Sequence, residues 1–369
     1  MKRRDFFKGA AVAAGAIALG ANKQALAAPA VVKKTRELRM VTTWPKGFPG
    51  VGTGAQRLAD AITAMSDGAI TIKLYSAGEL VPALESFDAV SNGTADMYHG
   101  AEYYWQGKSK AFNFFTAVPF GHTANENDAW LNYGGGQALW DELSAQFNIK
   151  GFAAGNTGVQ MAGWYNKEIN TTEDYQGLKI RMPGLGGEVL SHLGAASVTM
   201  AGGDIFPALQ SGTIDATEWI GPWNDLAMGF YKVAKFYYYP GFHEPGSTLS
   251  AGINKTVWDS LSTSEQALIA HACASANNNM LAEYNANNGD ALNTLVTQHK
   301  VQLRRMSDDI LKAIADASSD VLASVAATDD ATRKVYDSFM DFRKKAYGWN
   351  ALSEFAFAAA RRLDKQLGA

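Results

Sequence analysis

Strand-like and helix-like periodicities alternate along the chain. Leu38, Met40 and Thr42 occupy alternate positions and predict a short strand. Leu58, Ala61, Ile62 and Met65 then recur at helical spacing, with Gly68 as a stop signal. Ile70, Ile72 and Leu74 alternate with Thr71, Lys73 and Tyr75, which predicts a second strand. A helix starting near Pro82 carries Leu84, Phe87 and Val90 on one face and ends near Gly93. This order predicts an α/β fold, a mostly parallel sheet covered by helices. Later, Ser262 and Glu265 spell a capping box, and helix-compatible sequence runs to about Val296. Such a helix would reach ~50 Å, enough to lie across two lobes, unless Gly289 interrupts it. From Asp308 to Leu367 the pattern is again mainly helical, with a break expected at Gly348.

Two stretches echo each other: PALESFDAVSNGTADM at 82–97 and PALQSGTIDATEW at 207–219. Each reads as a proline-started helix, a Gly-Thr turn and an aspartate, Asp96 or Asp215, entering a new segment. The echo is short enough to arise by chance. If it reflects structure, two lobes each direct one helix–turn–strand unit at a shared cleft, where open α/β sheets bind ligands.

The first residues change the picture of where the protein works. MKRRDFFKGAAVAAGAIALGANKQALAAPA contains the pair Arg3-Arg4, a weakly apolar run from Gly9 to Gly20, and the small-x-small site Ala25-Leu26-Ala27. Residues 1–27 are expected to form a twin-arginine signal that exports a folded protein to the periplasm, with Ala28 starting the mature chain. An ordinary secretory signal gives the same location. No apolar run approaches the ~20 residues that span a bilayer.

About 340 mature residues exceed a comfortable single core, so two domains are expected. Apolar residues at 47% and charged residues at 19% describe an ordinary globular composition, and a formal charge of −3 without long single-sign runs argues against nucleic-acid or anionic-membrane surfaces. Cys273, the only cysteine, excludes an intrachain disulfide and a thiolate cluster; its alanine-rich surroundings predict a small buried residue. There is no GxSxG, HExxH, CxxC or P-loop motif. GVGTGA at 50–55 fits a relaxed dinucleotide fingerprint, but Pro45 and Pro49 separate it from the preceding strand. The six histidines are scattered without ligand spacing, so a histidine metal site is not expected.

The middle third holds the candidate chemistry. Gln160 lies in a strand-like apolar run, NTGVQMAGW. Arg181 ends a strand before the Pro-Gly turn of LKIRMPG, and Glu218 and Trp219 follow a strand in IDATEWIGP. Aromatics lead to His243 and Glu244 in YYYYPGFHEPG. Singly, Arg181 also reads as a surface residue, Glu218 as a helix-terminal charge and the tyrosines as core.

Together, these blocks and SAGELVPALESFDAV, in this order, resemble the solute-binding subunits of TRAP (tripartite ATP-independent periplasmic) transporters, most closely the 2-oxo-acid, pyruvate-type branch. The resemblance spans nearly the whole mature chain. It implies two α/β lobes with a ligand cleft between them and a long spanning helix. It also implies no catalysis, and delivery of a small monocarboxylate to a membrane permease. By resemblance Arg181 binds the ligand carboxylate, and Gln160, Glu218 and the Trp219 carbonyl hold a metal ion. Tyr103 and Tyr104 supply hydroxyls, and Glu244 is a further ligand contact. The ion implied is Na⁺, with Ca²⁺ as the alternative; lactate or another carboxylate is the alternative ligand. Phe242-His243 and Glu102 depart from the branch pattern and leave ligand size open. A twin-arginine-exported enzyme is the rival class, disfavoured by the missing cofactor motifs.

The expected organisation is lobe I at 28–155 plus 247–262 and lobe II at 156–246. The long helix takes 263–297 and a helical region 298–369, with a homodimer through the C-terminal helices expected. The chemistry is coherent. A guanidinium meets a planar carboxylate with two parallel hydrogen bonds. A glutamate 4 Å from that anion is repelled by ~4 kcal/mol at an effective dielectric of 20, and a cation between them turns repulsion into a bridge. Carboxylate, amide and carbonyl oxygens suit a hard ion.

Overall fold

The computed structural model describes residues 35–364. The twin-arginine pair, the apolar run and the cleavage site expected at 1–27 lie outside the described residues.

Among the described residues, eleven strands form two sheets. The first is ordered β2 (Ile70–Tyr75), β1 (Arg36–Thr42), β3 (Met97–Gly100), β10 (Thr248–Asn254), β4 (Ile149–Asn156). The second is ordered β11 (Gln302–Arg305), β9 (Phe236–Tyr239), β5 (Gly163–Tyr165), β8 (Ala216–Thr217), β6 (Lys179–Arg181), β7 (Ala196–Val198). In the first sheet β1 pairs in parallel with β2 and β3, and β10 is antiparallel to β3 and β4. The parallel βα expectation therefore holds for β1 to β3, and the returning strand β10 inserts between β3 and the edge strand β4. The second sheet recruits β11 from the region 298–369, expected to be a helical region; β11 lies parallel to β9. The chain crosses between the sheets after β4 and again before β10. The two crossing segments run side by side, with Thr157 N donating to Ser247 O (3.0 Å) and Gln160 N to Glu244 O (3.1 Å).

Gln160 lies in the first of these crossings, not in a strand. Its backbone accepts from Gly241 N at 3.1 Å. A Cβ on Gly241 would run into the Gln160 carbonyl, so glycine is required where the crossings touch.

The long helix is continuous from Thr263 to Thr297, starts with the expected Ser262–Glu265 capping box, and is not interrupted at Gly289. It packs on β4, β10 and the Val51–Met65 helix of the first sheet and on the Pro222–Met228 helix of the second. The GVGTGA run begins the Val51–Met65 helix rather than a nucleotide loop. A Cβ at Gly50 would sit 2.6 Å from the Tyr284 hydroxyl, and one at Gly54 would strike Met280, so these glycines admit the long helix. Beyond it, helices span Asp308–Ala326, Asp330–Asn350 and Glu354–Ala360, and Gly348 falls within the second of them.

The internal echo has a structural counterpart, with a different meaning from the one expected. Arg39 N donates to Asp96 Oδ2 (2.7 Å) and Asp96 N to Arg39 O (2.9 Å). Lys179 N donates to Asp215 Oδ2 (3.0 Å) and Asp215 N to Lys179 O (2.7 Å). Each aspartate clamps its segment to a parallel neighbour just before a strand begins. These are the amino ends of β3 and β8, away from the carboxyl ends where the candidate residues collect. Pro207, moreover, lies inside the Gly202–Gln210 helix instead of starting it.

Candidate functional site

β6 and β8 are parallel neighbours, with Arg181 opposite Thr217, so the residue after β8 comes to lie beside Arg181. That residue is Glu218. Its N–H continues the ladder to Arg181 O at 3.0 Å. Arg181 Nη1 donates to the Glu218 carbonyl at 2.9 Å and to its carboxylate Oε1. Both side chains are 0% exposed, so neither charge could persist here without the other. Burial, the largest single influence, lowers the arginine's pKa, but Glu218 together with Tyr104, Tyr103 and Glu244 outweighs it and the net direction is upward. The Trp219 ring lies 5.2 Å from the guanidinium carbon, a cation–π distance. One edge of the guanidinium fork is thus committed to Glu218.

The second crossing segment supplies His243 and Glu244. His243 Nε2 lies 3.0 Å from Glu218 Oε2 and 4.0 Å from Glu244 Oε1. Burial opposes the imidazolium, yet the hydrogen bond and charge of Glu218 raise its pKa overall. Burial, reinforced by the Glu218 charge, pushes Glu244 up to about 7. Gln160 Nε2 donates to Glu244 Oε2 (2.7 Å) and Thr157 Oγ1 (3.0 Å), tying the two crossings together.

The first sheet contributes from the turn after β3. Tyr103 and Tyr104 lie in a 3₁₀ turn, Glu102–Trp105, their rings edge-to-face at 4.8 Å. Tyr104 Oη is 3.5 Å from Arg181 Nη2, the limit of a hydrogen bond, so that edge of the guanidinium faces the tyrosines without being strongly held. Tyr104 is pushed up to about 12 by burial and remains a neutral hydroxyl. All seven residues singled out from the sequence therefore converge: Gln160, Arg181, Glu218, Trp219, Glu244, Tyr103 and Tyr104.

His243 was named beside Glu244 but given no site role, because ligand-spacing rules look for partners along the chain and its partner, Glu218, arrives from another strand. Its only signal was its place next to Glu244. Cys273 is buried in the long helix, its thiol pushed up to about 12 by burial, as expected of a packing residue.

The donor set fits a cation. Among the described residues, Glu218, His243 and Glu244 offer ligand atoms all within 4.8 Å of one another. Gln160 Oε1 and Glu244 Oε1 are buried acceptors without a hydrogen-bond partner. Such atoms are costly in a dry interior unless a donor or an ion satisfies them. Oxygens of this kind suit a hard ion. By contrast, the hollow of about 260 Å³ lined by Val118, Phe120, Leu322 and Tyr336 gathers no comparable polar chemistry.

Residues 40–329 match the family described as bacterial extracellular solute-binding protein, family 7. A monocarboxylate 2-oxoacid-binding periplasmic protein of Nostoc is 41% identical over 97% of this chain and 98% of its own. A TRAP periplasmic solute-binding protein of Pseudoalteromonas atlantica, solved with sodium and pyruvate, is 40% identical with a TM-score of 0.86, covering 88% of this chain and 99% of that one. A Bordetella bronchiseptica TRAP solute-binding protein, described as a mixed-occupancy dimer with copurified calcium and picolinate, is 37% identical with a TM-score of 0.86, over 89% and 99%. Among the described residues no helix is long and apolar enough to cross a membrane. The chain belongs to family 7 of the bacterial extracellular solute-binding proteins, the periplasmic subunits that bring small carboxylates to TRAP permeases, and it is a transport protein, not an enzyme.

Proposed function

We propose that this protein captures a short 2-oxo monocarboxylate, pyruvate first among them, together with a cation. Arg181, Tyr103 and Tyr104 receive the ligand carboxylate, and Gln160, Glu218, Glu244 and the Trp219 carbonyl hold the ion. The observation that carries this reading is the pair of buried, unpartnered acceptors, Gln160 Oε1 and Glu244 Oε1, beside an arginine already half neutralised by Glu218. A second anion could enter such a site only with a positive charge to accompany it. A 2-oxo acid offers a carboxylate and a ketone oxygen to the same ion in a five-membered ring. Na⁺ is the first choice and Ca²⁺ the alternative, both seen beside carboxylates in similar proteins. Lactate is the second ligand reading.

Mass spectrometry and elemental analysis of protein purified without denaturation test this directly. A retained 2-oxo acid and near-stoichiometric sodium or calcium support it. A sugar, an amino acid or a dicarboxylate in place of the monocarboxylate overturns it.

We further take the described part of 28–155 with 247–262 as one lobe and 156–246 as the other, export as twin-arginine-dependent, and the mature protein as a dimer through its C-terminal helices. Exposed Trp349, Leu352 and Phe357 support the last point, as does the dimeric Bordetella relative. Replacing Arg3-Arg4 by lysines would hold the precursor in the cytoplasm if the export reading is right, and unimpaired export would refute it.

A further inference from the structure

Trp44, just beyond β1, is 2% exposed and reaches the site from the sheet opposite Arg181. Its ring meets Trp219 edge-on at 6.3 Å and Tyr104 at 6.3 Å. Those are the two rings that border the guanidinium. Phe48 meets the same Trp219 at 6.2 Å. Trp44, Phe48 and Trp219 thus form an aromatic wall beside the carboxylate anchor.

The polar edge of Trp44 is turned away from that wall. Nε1 donates to His99 Nδ1 at 2.8 Å. An indole N–H only donates, so Nδ1 is the bare nitrogen of a neutral imidazole, and Nε2–H is left to point at Ala154 O, 3.3 Å away. Burial pushes His99 down to about 4, which keeps the ring neutral. Rotating the indole would orphan two buried groups at once, so its hydrocarbon face is fixed.

We propose that Trp44, held in place by His99, sets the length of the apolar chain that a bound 2-oxo acid carries. With the carboxylate at Arg181, the tail of the acid extends toward a wall that does not yield. Pyruvate's methyl fits; longer branched chains meet the indole.

This inference rests on the carboxylate reading above, and calorimetry separates the two. Wild type, Trp44→Phe and Trp44→Ala are titrated with pyruvate, 2-oxobutyrate and 4-methyl-2-oxopentanoate, each variant being checked for folding by thermal melting. Wild type should prefer the short acids. Trp44→Ala should shift the ratio of affinities ~10-fold or more toward the longest, the discrimination that a few methylenes command. Trp44→Phe should fall between and decides the matter should the alanine variant not fold. A wild type that binds all three acids equally, or a ratio unmoved in the folded variants, overturns the role of Trp44 while leaving the carboxylate reading intact. A wild type that binds none of them overturns both.

Discussion

Arg181 and Glu218 are neighbours across two parallel strands, and one guanidinium nitrogen, Nη1, donates to both the side chain and the backbone carbonyl of the same glutamate. The anion anchor is therefore already paired before any ligand is considered. Pairing keeps a buried arginine in place, and it also removes most of the positive potential that would draw in a carboxylate. The rest of the guanidinium is lightly held, Nη2 by Tyr104 Oη and Nε by Met200 O, each at 3.5 Å. A cation against Gln160, Glu218 and Glu244 would restore the missing charge, which links ion and ligand physically.

Ligand and ion should accordingly bind with positive coupling. Titrating pyruvate into wild type in metal-chelated, sodium-free buffer, then with Na⁺ or Ca²⁺ restored, should show tighter binding with the ion. The coupling should equal the effect of pyruvate on ion affinity. Glu218→Gln keeps the shape, removes the charge and should reduce the coupling. Equal wild-type affinity in every buffer would mean that no ion bridges the site.

Arg181→Lys retains a charge but cannot reach Glu218 O, Glu218 Oε1 and a ligand from one planar group. Binding should weaken by ~100-fold or more, in the range for losing one member of a buried charge pair. Because Glu218 then loses a fixed partner, the melting temperature should fall as well. Unchanged affinity by calorimetry would remove Arg181 from the anchor role.

Asp225 is hydrogen-bonded to the segment that follows Glu218. Its carboxylate accepts from Trp164 Nε1 (3.0 Å), Tyr237 Oη (2.7 Å) and Ile220 N (3.3 Å). Trp164 and Tyr237 stack at 4.1 Å, so two of these donors come from one rigid pair. Asp225→Asn places an N–H₂ against at least one donor and should cost about 1–3 kcal/mol of stability. The Glu218–Ile220 segment should loosen and ligand affinity fall in parallel. Denaturant melts and calorimetry together check it; a stable variant with normal binding would show that Asp225 does not position the segment.

Glu102 gives a pH signature. Burial raises it from 4.5 to about 7, although the Tyr98 hydroxyl, 2.6 Å away, favours the charged form. The folded state thus binds a proton more tightly than the unfolded chain. This contribution to stability is complete below about 4.5 and is lost as pH rises through about 7. Glu102→Gln still accepts from Tyr98 and lacks the penalty. It should match wild type near the acid end and exceed it by up to about 3 kcal/mol above neutrality, since one pKa unit is about 1.4 kcal/mol. Denaturation midpoints that differ equally at all pH values would contradict this.

Phe355→Ser with Phe357→Ser should shift sedimentation from dimer to monomer without altering pyruvate affinity, because both rings are exposed on the chain itself and far along it from the site residues. A wild type that sediments as a monomer would refute the dimer.

Much of this was legible in the chain. Strand alternation at Leu38 to Thr42, the Ser262–Glu265 cap and the ordered blocks around Arg181 and Glu218 are local patterns. Local patterns survive because backbone geometry and burial of one face impose them residue by residue. The continuity of the Thr263–Thr297 helix through Gly289, and of the Asp330–Asn350 helix through Gly348, was not legible, because packing along a helix outweighs the ~1 kcal/mol preference against one glycine. Nor was β11, whose four residues become a strand only because β9 offers an edge. The site itself depends on tertiary structure most of all. Gln160 and Glu244 are 84 positions apart and meet only because the two crossings run side by side. His243 reaches Glu218 over 25 positions, and Trp44 reaches His99 over 55. The residues present determined which chemistry was available: a guanidinium, two carboxylates, an amide and a set of aromatics. Only folding decided which buried groups satisfy one another and which oxygens, Gln160 Oε1 and Glu244 Oε1 among them, remain without a partner, because hydrogen bonding in a dry interior is settled by distance in space, not by order along the chain.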